Sequence, residues 1–223
     1  MQDDAKLDMG EKISVFVQGN RKGIAAVISV IFILIIGMIV FISLQDVFQK
    51  KAISKVEELN TRFDDLRDII ADDPYNSEVQ ALLTDLNGFA KNKKGFAAGK
   101  AWSIIAQIHS NRKDWVNAEE AWLKAAKTAD KTYLAPMSLF NAAAAAEEQG
   151  NFAEAIEHLE KCIAHPFEFP AAPRAQFSVG RLYEQLNNYP AAVEAYRAVL
   201  INWQDFPVWQ YLARSRITVI EAM

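Results

Sequence analysis

The chain is 223 residues long and about half apolar, with 24 Lys and Arg against 28 Asp and Glu, for a net charge of -4. It therefore holds enough apolar material for a packed core, which excludes a disordered chain, and it offers no basic face to neutralise a phosphate backbone, which excludes a nucleic-acid binder. The single cysteine, Cys162, forms no internal disulfide and leaves the redox compartment open.

Residues 1–22 read as a short tail. Residues 23–44, "GIAAVISVIFILIIGMIVFISL", carry no charge and lie between Arg21-Lys22 and Lys50-Lys51. At 1.5 Å per residue the run makes about 33 Å of helix, enough to cross a hydrocarbon core of about 30 Å. It is longer than the apolar region of a cleaved signal, and "QDVFQKKAIS" offers no small-x-small cleavage site, so it reads as an uncleaved anchor. The flanking cations tie, with Lys12, Arg21 and Lys22 on one side and Lys50, Lys51 and Lys55 on the other. The abutting Arg21-Lys22 pair, and the ease with which long C-terminal domains translocate, favour the tail inside and the large domain outside. Ala25, Ser29 and Gly37 share a helical stripe of small residues suited to a membrane partner.

Beyond the span, residues 45–98 predict linking and capping helices. Ala52, Val56, Leu59, Phe63, Leu66 and Ile70 follow steps of four and three, so one apolar stripe marks a helix that ends at "ADDP". The stripe is expected to dock on the domain that follows; the competing use is a homodimer through Val56, Leu59, Phe63 and Leu66. A second helix is predicted from Ser77 to about Ala90. "KNKKGFAAGK" then reads as a solvated connector; its glycines miss the phosphate-loop spacing by one residue, and Ala101 replaces the required hydroxyl.

The remainder repeats with a period of 37, in units of 99–135, 136–172 and 173–205. Trp115, Phe152 and Tyr189 coincide, as do Ala118, Ala155 and Ala192, then Trp122, Leu159 and Tyr196, and also Ala106, Ala143 and Gly180. Asp114, Asn151 and Asn188 precede the aromatics and are expected to cap a second helix with their side chains. Pro190 suits the first turn of such a helix. Residues 206–223, "FPVWQYLARSRITVIEAM", are expected to form a capping helix.

These positions resemble the tetratricopeptide repeat. "WSIIAQIHSNRKDWVNAEEAWLKAA" is similar to its order of aromatic, small and aromatic positions, and "SVGRLYEQLNNYPAAVEAYRAVL" matches most fully. The period of 37 rather than 34, and the drift of the final proline to Pro136, Pro170 and Pro207, alter curvature more than fold. The resemblance implies an all-α chain, with a single-pass transmembrane helix followed by a tetratricopeptide α-solenoid whose first helices line a concave binding face. By the family's register that groove holds Gln107, Met137, Phe140, Asn141, Arg174, Phe177 and Arg181. It would take an extended or helical peptide, with the phenylalanines as anchors and the arginines meeting acidic groups. The competing reading packs Phe140 and Phe177 inside the solenoid or under the linking helix. Of the five positions through which some family members clamp a chaperone's C-terminal carboxylate, only Asn141 and Arg174 fit; Ser103, Gln107 and Ser178 occupy the rest, which disfavours that role.

No catalytic constellation emerges, so the chain is not expected to be an enzyme, and no cofactor or metal is expected. His158, Cys162 and His165 share a stripe with ligand-like spacing, but the repeat assigns Cys162 to an inward packing position. In "NAAAAAEEQGNF", residues 141–152, Ala142, Ala143 and Ala146 fall on first-helix core positions, so the middle unit is expected to bring helices unusually close or to admit a large side chain from elsewhere.

Anchor, linking helix, short repeat stack, size and acidity together resemble the YfgM-like proteins of bacterial inner membranes. In that family the repeat domain faces the periplasm, and members are ancillary subunits of the SecYEG translocon that engage periplasmic chaperones. The resemblance implies a scaffold that recruits chaperones or clients beside the translocon, with the lipid bilayer and other proteins as partners and the repeats in the periplasm. The alternatives are a structural part of an envelope assembly, such as a flagellar-motor or outer-membrane-assembly accessory, and an N-anchored receptor facing the cytosol.

Overall fold

In the computed structural model the described residues are 9–73 and 76–223, and every regular element among them is an α-helix. In chain order these are α1 (Met9–Asp65), α2 (Arg67–Asp72), α3 (Ser77–Asn92), α4 (Gly95–Asn111), α5 (Trp115–Thr128), α6 (Leu134–Glu148), α7 (Phe152–Ile163), α8 (Ala172–Gln185), α9 (Tyr189–Asn202) and α10 (Pro207–Glu221). The first eight residues of the expected tail, and Pro74 of the expected "ADDP" stop, lie outside the described residues. Contacts divide the chain into two units, Met1–Lys51 and Ala52–Met223.

In the first unit α1 leaves its large apolar side chains uncovered from Val27 to Phe48. It contains the one stretch, among the described residues, long and apolar enough to cross a bilayer, and that stretch is not buried among them. Ala25, Ser29 and Gly37 are exposed, and the Ser29 hydroxyl donates to the Ala25 carbonyl of its own helix at 2.8 Å.

In the second unit the heptad stripe turns inward. Val56, Leu59, Phe63 and Leu66 are buried in one core with Ile70 of α2, Leu82 and Leu86 of α3 and Ile104 and Ile108 of α4. Lys100 of α4 reaches Glu57 at 2.7 Å, and Arg62 reaches Asp85 of α3 at 2.6 Å. Fully burying side chains of this kind stabilises by roughly 1.5–3 kcal/mol each, so the stripe is committed to its own domain. The homodimer expected through Val56, Leu59, Phe63 and Leu66 is thereby corrected: those side chains have no surface left to offer a second copy.

The second helices α3, α5, α7 and α9 begin at Ser77, Trp115, Phe152 and Tyr189, 37 or 38 residues apart. Residues 52–92 thus form a helical hairpin in step with the three that follow, rather than a cap of a different kind. Its first helix breaks at Leu66, between α1 and α2. The expected connector is also corrected. Only Lys93 and Lys94 lie between helices, while Gly95 to Lys100 open α4 with Ala97, Ala98 and Gly99 buried. Gly99 is thin because α4 meets the α5–α6 junction there: a Cβ would lie 2.5 Å from the Ala129 Cβ.

One turn recurs between the paired helices. Lys113, Gly150 and Asn187 adopt left-handed backbone with φ of 57, 80 and 56°. The next N-H, of Asp114, Asn151 or Asn188, donates to the carbonyl of His109, Ala146 or Tyr183, each at 2.9 Å. This satisfies a carbonyl at each first-helix C-terminus. Side-chain capping is rarer than expected. Asn188 accepts from the Ala191 N-H at 3.3 Å, but Asp114 bonds the side chains of Asn117 and His109, and Asn151 makes no cap bond.

The five alanines of α6 divide by face. Ala142, Ala143, Ala145 and Ala146 are buried and Ala144 is exposed. Ala143 and Ala146 share a core with Ile156 and Leu159 of α7 and Val179 and Leu182 of α8, with Phe140 and Phe152 packed against it.

Candidate functional site

The first helices α6 and α8 come from successive units, and the cleft between them is the site the repeat register singles out. It measures about 90 Å³ and is lined by Phe140, Ala143, Ala144 and Glu147 of α6, Leu159 of α7, and Arg174, Ser178 and Arg181 of α8. Its apolar lining comes from Phe140, Ala143, Ala144 and the largely buried Leu159. That volume is smaller than the roughly 150 Å³ that holds a benzene and well under the 300 Å³ or more usual for small-molecule sites. One inserted aliphatic side chain fits it; a cofactor does not.

Electrostatics set its rim. The Arg181 guanidinium donates twice to Glu147, at 2.5 and 2.6 Å, tying α8 to α6 and neutralising both charges. The Arg174 guanidinium stacks over the Phe140 ring at 5.3 Å, within cation–π range, and among the described residues it meets no carboxylate. The rim therefore presents one uncompensated cation over an apolar floor.

Three of the seven groove residues expected from sequence converge here: Phe140, Arg174 and Arg181. Four do not. Phe177 turns away, packing on Tyr196 at 5.0 Å and Trp209 at 5.6 Å, so the interior reading is the right one for it. Its ring fills the space between α9 and α10. Phe140 does both jobs, lining the cleft while half-buried and tilted against Phe169 at 5.3 Å. Gln107 donates to the Ser103 carbonyl of its own helix, Met137 is exposed outside the cleft, and Asn141 is half-buried without lining it. Arg181 is also corrected as a free acceptor of acidic groups, because Glu147 already holds it.

The groups that sequence reading missed are Ala143, Ala144, Glu147, Leu159 and Ser178. Their signal was the same 37-residue register, which makes Glu147 of α6 equivalent to Glu184 of α8. The expected stripe of His158, Cys162 and His165 does not converge. His158 Nε2 lies 2.9 Å from Glu119 Oε1 of α5. Cys162 packs in the core, where burial pushes its thiol up to about 12. His165 Nδ1 accepts from the Phe167 N-H at 3.1 Å. Among the described residues no three His, Cys, Asp or Glu side chains gather as a metal site.

Comparison with known proteins bears on the repeat. The family model described as "Tetratricopeptide repeat" matches residues 140–205, which hold the cleft. The domain has a tetratricopeptide-like solenoid fold. A TPR repeat-containing protein of Treponema pallidum (strain Nichols) is 38% identical over 148 residues, covering 65% of this chain and 60% of that protein, so the match leaves a large part of the relative's length uncovered. The nearly identical TPR-like repeats of a Podosopora anserina protein superpose with a TM-score of 0.52 at 16% identity, over 75% of this chain and 92% of that one. A variant of the same structure gives 0.51 at 17% identity over 75% and 91%. At that identity the likeness speaks for the fold. Tetratricopeptide repeats generally mediate protein–protein contacts, and residues 140–205 are the part of this chain that the repeat model matches.

Proposed function

We propose that this scaffold is held in a bacterial inner membrane by residues 23–44, with its short tail in the cytoplasm and its tetratricopeptide domain in the periplasm, and that it recruits chaperones or clients beside the protein translocon. The observation that carries the reading is the α6–α8 cleft: an apolar floor sized for one side chain, under a rim whose single uncompensated cation is Arg174. That chemistry favours a peptide with an apolar anchor next to an acidic group. The anchor draws support from an α1 surface of uncovered apolar side chains, whose contact with water is costly and whose contact with lipid is not. Ala25, Ser29 and Gly37 give that span a face on which another membrane helix can pack closely.

An alkaline-phosphatase fusion at the C-terminus tests the topology. Activity in a bacterial host supports the periplasmic domain; a well-expressed, inactive fusion overturns it.

A further inference from the structure

Successive helices of the second unit alternate in direction, so the turns that join one hairpin to the next share an edge with the start of the unit, and the turns within hairpins share the other edge. Arg62 bonds Asp85, and Lys100 bonds Glu57. Eight residues on from Asp85 and six back from Lys100, the Lys93–Lys94 turn comes level with the start of the unit near Ala52. The α5–α6 junction lies at the same edge, because Gly99 packs on Ala129 and the Phe96 ring lies 5.8 Å from that of Tyr133.

A cleft of about 450 Å³ opens at this edge, where Lys91, Lys93, Lys94 and Lys127 surround Ala90 and Trp102, and none of its lining residues is Asp or Glu. These lysines are exposed, and among the described residues none of them meets a carboxylate. The neighbouring cations are already engaged. Lys100 holds Glu57, and Lys124 holds Glu120 at 2.7 Å while lying 4.8 Å from the centre of the Trp102 ring. The chain carries a net charge of -4, so carboxylates to pair with are plentiful, yet four lysines stand together without one. Like charges gathered at one cleft repel, and a bound anion relieves the repulsion.

We infer that this edge rests on the surface of an anionic bilayer, with phospholipid phosphates entering the lysine cleft. Chain length supplies the first reason. Ala52 follows Leu44, the last residue of the apolar run, by eight residues, which span at most about 29 Å even when extended. The edge that begins at Ala52 is therefore the tethered one, and the turns within hairpins stand a helix length beyond it. Charge supplies the second reason, because each lysine held at an anionic surface adds about a fivefold bias towards the bound state. Tyr133 supplies the third: at the same edge it is 61% exposed, and an apolar ring with a polar tip suits the boundary between headgroups and acyl chains. An acidic peptide would match the charge but would account for neither the tether nor the exposed ring. The tether rests on the proposed anchor; the charge and the ring do not.

The test uses the full chain reconstituted into vesicles with quencher-labelled headgroups, made of phosphatidylcholine alone or of phosphatidylcholine and phosphatidylglycerol in equal parts. A fluorophore is placed on Asn92→Cys at this edge or on Asn111→Cys at the opposite one, both exposed positions, while the buried Cys162 stays unlabelled. Emission from position 92 is expected to be quenched in the anionic vesicles, to recover with added salt, and to be unquenched at position 111. Lys93→Gln with Lys94→Gln should shift the docked fraction by roughly 30-fold and restore the emission, with the helical circular dichroism unchanged. No quenching at position 92 in anionic vesicles overturns the inference. So does quenching that is indifferent to lipid charge or to the two lysines, or a change at position 92 produced in neutral vesicles by an added polyglutamate peptide and not by anionic lipid. Flotation reads the anchor separately: a chain that floats with anionic vesicles only, and by its lysines, keeps the cleft and loses the anchor, whereas one that floats with both yet stays unquenched keeps the anchor and loses the cleft.

Discussion

Arg181 on α8 clasps Glu147 on α6 from one repeat back, and Arg216 on α10 clasps Glu184 on α8 in the same way. The second clasp is the more enclosed, since the Glu184 side chain is only 13% exposed and also accepts from the Tyr196 hydroxyl at 2.5 Å. Burial alone would raise the Glu184 carboxyl, but the bonds from Arg216 and Tyr196 outweigh it and hold the group below the usual carboxylate range. A carboxylate depressed in the folded state stabilises fully above its unfolded value, about 4.3, and loses that contribution as pH falls through the folded value. Glu184→Gln is therefore expected to cost about 1–2 kcal/mol at pH 7, and the gap from the wild-type chain should close below about pH 4. Urea unfolding of both proteins at pH 7 and pH 3 checks this; a gap that stays constant across that range assigns the loss to shape rather than charge.

Gly180 and Gly99 are both thin points, but their neighbours differ. An added methyl at Gly180 meets the face of the Tyr196 ring at 2.6–2.8 Å, whereas at Gly99 it meets the Ala129 Cβ at 2.5 Å and the Ala125 carbonyl at 3.2 Å. Neither site has a flexible side-chain end to give way, so each alanine should cost about 1–3 kcal/mol, with Gly99 at the upper end because backbone stands in the way. Tyr196→Leu should relieve part of the Gly180→Ala penalty and none of the Gly99→Ala penalty. Thermal melts of the three single variants and the two doubles with Tyr196→Leu, against the wild-type chain, measure the coupling.

The alanine run supplies an internal contrast. Ala146→Leu forces a larger side chain into a closed contact beside α7 and is expected to lower the melting temperature sharply or prevent folding. Ala144→Leu, two residues away, should melt within a few degrees of the wild-type chain because Ala144 is exposed. It should still abolish partner capture by filling the cleft that Ala144 lines.

The repeat was legible from sequence because each unit keeps large and small residues at a fixed period, and that pattern is what packs: Gly180 lies under Tyr196 as the aligned small and aromatic positions require. Both helices of the earlier hairpin were legible, but not their place in the repeat. Its first helix is fused to the apolar run without a capping residue and is broken at Leu66, so no start signal separates it from the span. The fate of Arg181 was hidden for another reason. Its partner lies 34 residues away, and a groove position defined by register says where a side chain starts, not which neighbouring unit has already claimed its charge. Phe177 shows the same limit, because a ring at a groove position is drawn inward when Tyr196 and Trp209 leave room for it.

Cys162 gives a probe of domain opening. Burial raises its thiol to about 12, against a small opposing effect from a hydrogen bond with the Phe140 backbone. At pH 8 the folded chain should consequently react with a thiol reagent far more slowly than the same chain in urea, with the rate tracking local opening of α7. Fast modification of the native chain would mean that α7 separates readily from its neighbours.

The groove account is tested most directly by photocrosslinking in membranes from a benzophenone side chain at Met137, which is 37% exposed on α6 beside the cleft without lining it, compared with Val116, which is 66% exposed on the second helix α5. The account predicts a distinct adduct from position 137 that is absent from position 116 and is lost when Arg174→Glu is added to the still-folded chain. The same adducts from both positions, or a position-137 adduct indifferent to Arg174→Glu, would contradict it.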